Sequence, residues 1–318
     1  MVKFPYHSPL SSPLSPPSVL LHGIENAIGT VYALVAYHVY TVILFTWTDY
    51  KTIFFPVTAF ACATAPVSSL STFVQGELWI WIHLLLCNVS NQARSESEDA
   101  VNRPWRPLPS KRISQRQAVA LRWITVAFCI IWSASYNVGL VYITLALFVT
   151  TFLYDECGLA SHPIGKNLCN IGGYTTFELG ATTILGHTGA HVDHLDSVAC
   201  RAISLSGILI FTTIQAQDFS DVEGDSALGR VTFPIYAPEL SRAVTLFAMI
   251  AWSLFLPHFW GIGNVSAIIF AAFGSAVGCR FYWWRAQGAD KRSYLIYNVW
   301  LMFAHILPLH ARIDALSF

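Results

Sequence analysis

Nine mostly apolar stretches, most of them close to the length that crosses a bilayer, constrain this 318-residue chain more than any other feature. They run approximately Thr52–Leu70, Phe73–Asn91, Ala118–Tyr136, Leu140–Leu153, Asn167–Gly186, Val198–Gln217, Ser241–His258, Gly261–Trp284 and Tyr294–His310, the fourth being short. Backbone groups inside hydrocarbon find no water, so such segments satisfy their hydrogen bonds internally as helices of about 20 residues. The expected fold is an all-α membrane protein, a bundle of about nine transmembrane helices. Composition agrees: 54% of residues are hydrophobic and only 11% charged, where a soluble domain carries about a quarter charged.

This length accommodates one transmembrane domain, 52–318, with no separate soluble module. Ahead of it, Met1–Pro17 is rich in Ser and Pro, lacks the apolar core of a signal peptide, and reads as a disordered arm. Val35–Thr46 is apolar, aromatic and short, and is expected to lie in the membrane interface. Seven cysteines, Cys62, Cys87, Cys129, Cys157, Cys169, Cys200 and Cys279, form no CxxC pair and read as small core residues. A net charge of zero and the lack of a basic tract give no sign of nucleic-acid binding.

Charge placement sets the orientation. With nine spans, Lys3, Lys51, Arg94, Arg103, Arg106, Lys111, Arg112, Arg116, Arg122, Lys166, Arg230, Arg242, Arg280, Arg285, Lys291 and Arg292 fall on the side of the N-terminus. Of the 18 basic residues that leaves two, Arg201 and Arg312, on the other side. The excess of positive charge marks the cytosolic face.

Two acidic stretches lie on that face. DFSDVEGDSALG, Asp218–Gly229, follows the sixth span and places Asp218, Asp221 and Asp225 at i, i+3 and i+7. NQARSESED, Asn91–Asp99, follows the second and places Asn91, Ser95 and Asp99 at i, i+4 and i+8, with Glu96 and Glu98 beside them. On a helix each set shares one face. Like charges on one face repel; a hard divalent cation such as Mg²⁺ relieves that repulsion and brings substrate phosphates with it. Four intervening crossings return the chain to the same face, so both stripes can meet around one diphosphate. Arg103, Arg106, Lys111 and Arg112 follow at once and can neutralise a departing diphosphate, although positive-inside anchoring explains the same residues. A solvated helix end is the plainer account of either acidic run alone.

The two motifs resemble those of the UbiA superfamily of intramembrane prenyltransferases. NQARSESED followed by RPWRPLPS is similar to that family's first motif, and DFSDVEGDSALGRVTFP matches its second closely. The chain departs from the family at Gln92 and Ser95, where Asp is usual, which gives Glu98 and Asp99 more weight. The resemblance covers Thr52–His310 and implies a UbiA-like bundle with its active-site mouth on the cytosolic side. It implies Mg²⁺ as cofactor, held by Asn91, Ser95, Glu98, Asp99, Asp218, Asp221 and Asp225, with Asn91, Asp99, Asp218, Asp221 and Asp225 as the catalytic set. It also implies a prenyl diphosphate substrate met by Arg103, Arg106, Lys111, Arg230 and, from the loop after span four, Tyr154 and Lys166. The finer likeness, carried by NQARSESED, PWRPLPS and DKRSYLIYNVWL, is to the fungal UbiA-type membrane-bound terpene cyclases of the bergamotene-forming, fumagillin-pathway type. Those enzymes ionise farnesyl diphosphate and let the allylic cation close on its own double bonds to a sesquiterpene.

Three functions stay open at this point: such a cyclase, a UbiA-type prenyltransferase acting on an aromatic or quinone-precursor acceptor, and a transporter binding cations at acidic helix ends. A transporter would carry ionisable groups along a path at mid-membrane, whereas these gather at one face. Trp81, Trp123, Tyr174, Phe177 and Trp300 can face a carbocation, and Asn167, Asn170 and Glu178 can serve an acceptor, although ordinary packing accounts for any of these singly. Glu77, like Glu178, reads as a neutral, hydrogen-bonded carboxyl. His187, His191, Asp193, His194 and Asp196 read as a solvated lumenal loop, and Asp290, Lys291 and Arg292 as a solvated turn. The sequons at Asn88 and Asn264 are discounted by their position. No protein partner is implied. The expected location is multi-pass in the endoplasmic reticulum, active-site loops in the cytosol.

Overall fold

The computed structural model describes residues 16–67, 69–187, 195–227 and 229–318. Most of the Met1–Pro17 arm, together with His191, Asp193 and His194, lies outside the described residues. The chain divides into two compact units, one ending at Ile43 and the other running from Leu44 to Phe318. The first helix, α1 (Pro16–Thr46), starts in the first unit, well before the expected Val35. Ile28, Val31, Tyr32, Leu34 and Val35 are all exposed on it.

In the second unit a 3₁₀ turn, Trp47–Asp49, and a π-helical turn, Tyr50–Phe54, lead into α2, Phe55–Thr64. Then follow α3 (Leu70–Gln92), α4 (Glu96–Asn102), α5 (Gln115–Ala134), α6 (Val138–Asp155), α7 (Pro163–Leu185) and α8 (Ser197–Thr213). The short α9 (Val222–Ala227) and α10 (Phe233–Tyr236) precede α11 (Pro238–Trp260), α12 (Asn264–Trp283), α13 (Gln287–Ile306) and α14 (His310–Ile313). Nine of these, α2, α3, α5 to α8 and α11 to α13, correspond to the nine expected spans. The boundaries carry ordinary stop and start chemistry. Ser69 and Ser114 close capping boxes with Thr72 and Gln117, the Asn137 carboxamide caps Leu140 N at 2.9 Å, and Gly261 ends α11 at φ 72°.

Large apolar side chains face outward, among them Phe128, Ile131, Tyr142, Phe247 and Ile268. Eight helical segments of the described residues are long and apolar enough to cross a membrane, Ala27–Thr64 being one. α7 is not among them, because its inner face carries Lys166, Asn167, Asn170 and Glu178. It is nonetheless the centre of the bundle, packed against α2, α3, α6 and α8. Small residues permit the close contacts: a Cβ on Gly180 would lie 2.1 Å from the Trp79 ring, and one on Gly274 would lie 1.8 Å from Ser253 Oγ.

Hydropathy misplaced two ends. The first span was expected to reach Leu70, but α2 stops at Thr64. The ninth was expected from Tyr294, but α13 begins at Gln287. Asp290, expected in a solvated turn, is buried in its first turns and paired with Arg242 at 3.0 and 2.8 Å, with the Arg242 guanidinium 4.3 Å from the Phe219 ring. Asp196, placed by sequence in a solvated loop, caps α8 and accepts from Arg312 Nη2 at 2.9 Å.

Candidate active site

A cavity of about 540 Å³ opens at one end of the bundle, where the C-terminal ends of α3, α6 and α8 meet the N-terminal ends of α7 and α13. Both acidic motifs line it. Neither lies on one continuous α-helix, contrary to the spacing argument: α3 ends at Gln92 before α4 begins, and α8 passes into a 3₁₀ turn, Ile214–Asp218, before α9. The helical spacing survives the breaks because the backbone bonds are still made. Ser95 N reaches Asn91 O at 3.1 Å, Asp99 N reaches Ser95 O at 2.9 Å, and Asp225 N reaches Asp221 O at 2.8 Å. Asn91, Ser95, Glu98, Asp99, Asp218, Asp221 and Asp225 therefore all reach the cavity wall.

Basic side chains thread between them. Arg230 joins the two motifs: its guanidinium meets Glu98 at 2.6 and 3.0 Å and Asp225 at 3.4 Å. Lys166 Nζ, buried at the start of α7, donates to Asp218 at 2.6 Å and lies 3.9 Å from Asp225. Arg106 grips both oxygens of Asp99 at 2.7 and 2.9 Å, and Arg103 stands 3.9 Å from the same carboxylate. Burial alone would disfavour the charge on Arg230, but Glu98 and then Asp225 raise its pKa above the usual value. Tyr154 completes the expected set on the wall. Lys111 does not belong to it: the side chain is exposed and pairs with Glu96 at 2.8 Å, outside the cavity.

The donor set suits a hard divalent cation. The oxygens are carboxylate, amide and hydroxyl, and Asp225 Oδ2 is buried with no hydrogen-bond donor, as is Asp155 Oδ2 on the same wall. Among the described residues no three His, Cys, Asp or Glu side chains converge closely enough to hold a metal. Lys166, Arg106 and Arg230 occupy the carboxylates instead.

Below this rim the wall turns apolar, with Ile53, Leu84, Leu147, Tyr174 and Phe177. Of the five aromatic candidates, Tyr174 and Phe177 face the cavity. Trp81 bonds Tyr50 at 3.0 Å, Trp123 is exposed, and Trp300 is buried against Ser253. Of the three acceptor candidates only Asn170 lines the wall. Glu178 is buried elsewhere, accepting from Ser206 at 2.5 Å, and Asn167 donates to Phe211 O at 3.3 Å. Sequence reasoning passed over Asp49, Asn88, Asp155 and Tyr294, and assigned no site role to Lys51 or Lys291, yet all six line the cavity. Lys51 lies outside every motif, and Lys291 sits in the DKRSYLIYNVWL stretch without an assigned role, so the assembled bundle is what reveals both at the wall.

Fold and site together define an integral-membrane helical bundle whose cavity is polar where the acidic helix ends line it and apolar along Leu84, Leu147 and Phe177. The chain belongs to the UbiA prenyltransferase family, whose model matches residues 52–306. It is 32% identical over 277 residues to a fumagillin beta-trans-bergamotene synthase of Aspergillus fumigatus, covering 86% of this chain and 93% of that one. It is 25% identical over 287 residues to a polyprenyl transferase of Hericium erinaceus, covering 88% and 96% respectively. A UbiA homolog from Archaeoglobus fulgidus, solved bound to GPP and Mg²⁺, shares the fold with TM-score 0.59 at 15% identity, covering 84% of this chain and 99% of that one.

Proposed function

We propose that this chain is a membrane terpene cyclase that ionises farnesyl diphosphate with Mg²⁺ and closes the allylic cation to a sesquiterpene. The observation that carries it is Arg230, which ties Glu98 of the first motif to Asp225 of the second at the rim of an apolar-floored cavity. One anionic group can engage both motifs there only if it brings cations with it. Mg²⁺, when bound, would be held by Asn91, Ser95, Glu98, Asp99, Asp218, Asp221 and Asp225, and would supply charge neutralisation to the diphosphate. The diphosphate draws Lys166, Arg230, Arg106 and Arg103 away from their carboxylates, and Tyr154 lies within the same wall. Lys51 and Lys291 have no carboxylate partner among the described residues and add charge without breaking a pair. These cations stabilise the negative charge that develops as the C–O bond breaks and its electron pair leaves on the diphosphate.

The prenyl tail lies along Leu84, Leu147 and Phe177, where exclusion of water protects the cation. The ring faces of Tyr174, Phe177 and Tyr294 stabilise it, each contact worth up to about 2 kcal/mol when desolvated. The cation closes on its own double bonds, and loss of one proton gives the neutral hydrocarbon. The resemblance to the Aspergillus fumigatus synthase supports cyclisation.

One observation favours the second reading, a prenyltransferase with an aromatic or quinone-precursor acceptor. Asn88 Nδ2 and Asn170 Nδ2 line the cavity with no acceptor of their own and can hold a second substrate. Either reading has the protein in the endoplasmic reticulum membrane with the cavity open to the cytosol. Both require a divalent cation: membranes carrying the chain, given farnesyl diphosphate alone for the first reading or with an aromatic acceptor for the second, should release diphosphate with Mg²⁺ and not in excess EDTA. Undiminished release in EDTA would remove the metal from the account.

A further inference from the structure

We propose that Asp155, at the last residue of α6, is a further member of the cation site, orienting Asn91 and offering an oxygen of its own. This rests on the reading that the cavity binds a diphosphate with a divalent cation. The first motif is poor in free carboxylate. Asn91 and Ser95 are neutral, and Asp99 is gripped by Arg106 through both oxygens. Asp155 supplies what that motif lacks, from a different helix.

Its geometry is specific. Asn91 Nδ2 donates to Asp155 Oδ1 at 2.8 Å, which turns the Asn91 carbonyl oxygen away from Asp155. An amide fixed through its nitrogen presents its oxygen as a ligand, the usual service of an outer carboxylate to a metal-binding side chain. Asp155 Oδ2 is buried and has no donor. The buried carboxylates on this wall, Asp99, Asp218 and Asp225, each face an Arg or Lys within 4.0 Å, whereas the half-buried Asp155 makes no ion pair among the described residues. A carboxylate oxygen buried without a donor or cation is costly, and a divalent ion bound between Asp155 and the second motif removes that cost.

The next residue ties the same helix end to the first motif from outside. Glu156 accepts from Arg94 Nε at 2.9 Å and from Arg122 at 2.6 Å, and it does not line the cavity. It therefore separates a local charge effect from a role in the site.

Mn²⁺ binding in the presence of inorganic pyrophosphate, read by electron paramagnetic resonance on the purified full chain, tests the proposal without turnover. Asp155→Asn should weaken Mn²⁺ binding by about 10- to 100-fold. Asp155→Glu, which keeps the charge, should retain more affinity than Asp155→Asn, and Glu156→Gln should bind as the unaltered chain does. Equal affinity in Asp155→Asn and the unaltered chain overturns the role of Asp155 and leaves the metal reading intact; so does an equal loss in Glu156→Gln. Absence of Mn²⁺ binding in the unaltered chain overturns both. Should Asp155→Asn not fold, Asp155→Glu decides, and a complete loss of binding in folded Asp155→Glu also counts against the proposal unless the Mn²⁺ to Mg²⁺ preference shifts with it.

Discussion

Arg230 links the motifs, and its substitution separates a structural tie from a catalytic one. Arg230→Ala removes a charge-matched donor from the diphosphate side, and turnover should fall by about 10²-fold. Arg230→Lys should recover little, since a single ammonium cannot reproduce the fork that meets Glu98 through two nitrogens. Full activity in Arg230→Ala, measured as diphosphate release, contradicts its placement. Lys111→Ala should stay within about twofold of the unaltered chain, because an exposed pair contributes only ~0–1 kcal/mol. Lys111 and Lys51 show where sequence stops informing at this scale. A motif-adjacent lysine was expected in the site and points to solvent, while a lysine outside any motif reaches the wall. Position along the chain does not encode which way a loop residue turns.

The elements were legible where hydropathy and capping agree. α3, α5, α6 and α11 start and stop within a few residues of expectation, because each is a long apolar run bounded by Ser, Asn, Pro or Gly. The two misplaced ends have different causes: the first span over-ran Thr64 through the uncharged stretch 65–70, and at the other a charge neutralised by burial and pairing reads as a loop in sequence. Asp290 hid the start of α13, and the polar inner face of α7 lowered the hydropathy of the helix on which the bundle is built. Both places make testable elements. Gly180→Val puts branches where Trp79 lies 2.1 Å from a Cβ, so α3 cannot seat on α7. Overpacking of this kind costs about 1–3 kcal/mol or more, and the variant should lose its folded peak in size-exclusion chromatography of detergent-solubilised protein; elution and melting like the unaltered chain contradicts the packing. Asp290→Ala leaves the buried Arg242 charge unpaired and should destabilise by about 3–5 kcal/mol, read as a lowered melting temperature.

At the scale of the molecule, α3, α6 and α8 end where the cavity opens, and the sixteen basic residues counted on one side carry the expectation that this end faces the cytosol. Cysteines placed at exposed Ser97 and Glu223 should label from the same side of sealed membranes, the cytosolic one; labelling from opposite sides contradicts the alternating bundle. The meeting of the two acidic motifs was readable from four intervening crossings, and Tyr174 and Phe177 were among the aromatic candidates, but Leu84, Leu147 and Asp155 were not, since they come from α3 and α6 outside any motif. The floor is what divides the two enzymatic readings, because a site that closes a cation on itself needs shape and dryness, and a transferase needs a held acceptor. The most direct measurement is incubation of membranes carrying the chain with farnesyl diphosphate and Mg²⁺, no acceptor added, followed by gas chromatography with mass detection. The account predicts a cyclic sesquiterpene hydrocarbon. Consumption of farnesyl diphosphate only after an aromatic acid or phenol is added, with a prenylated ring as product, would contradict it.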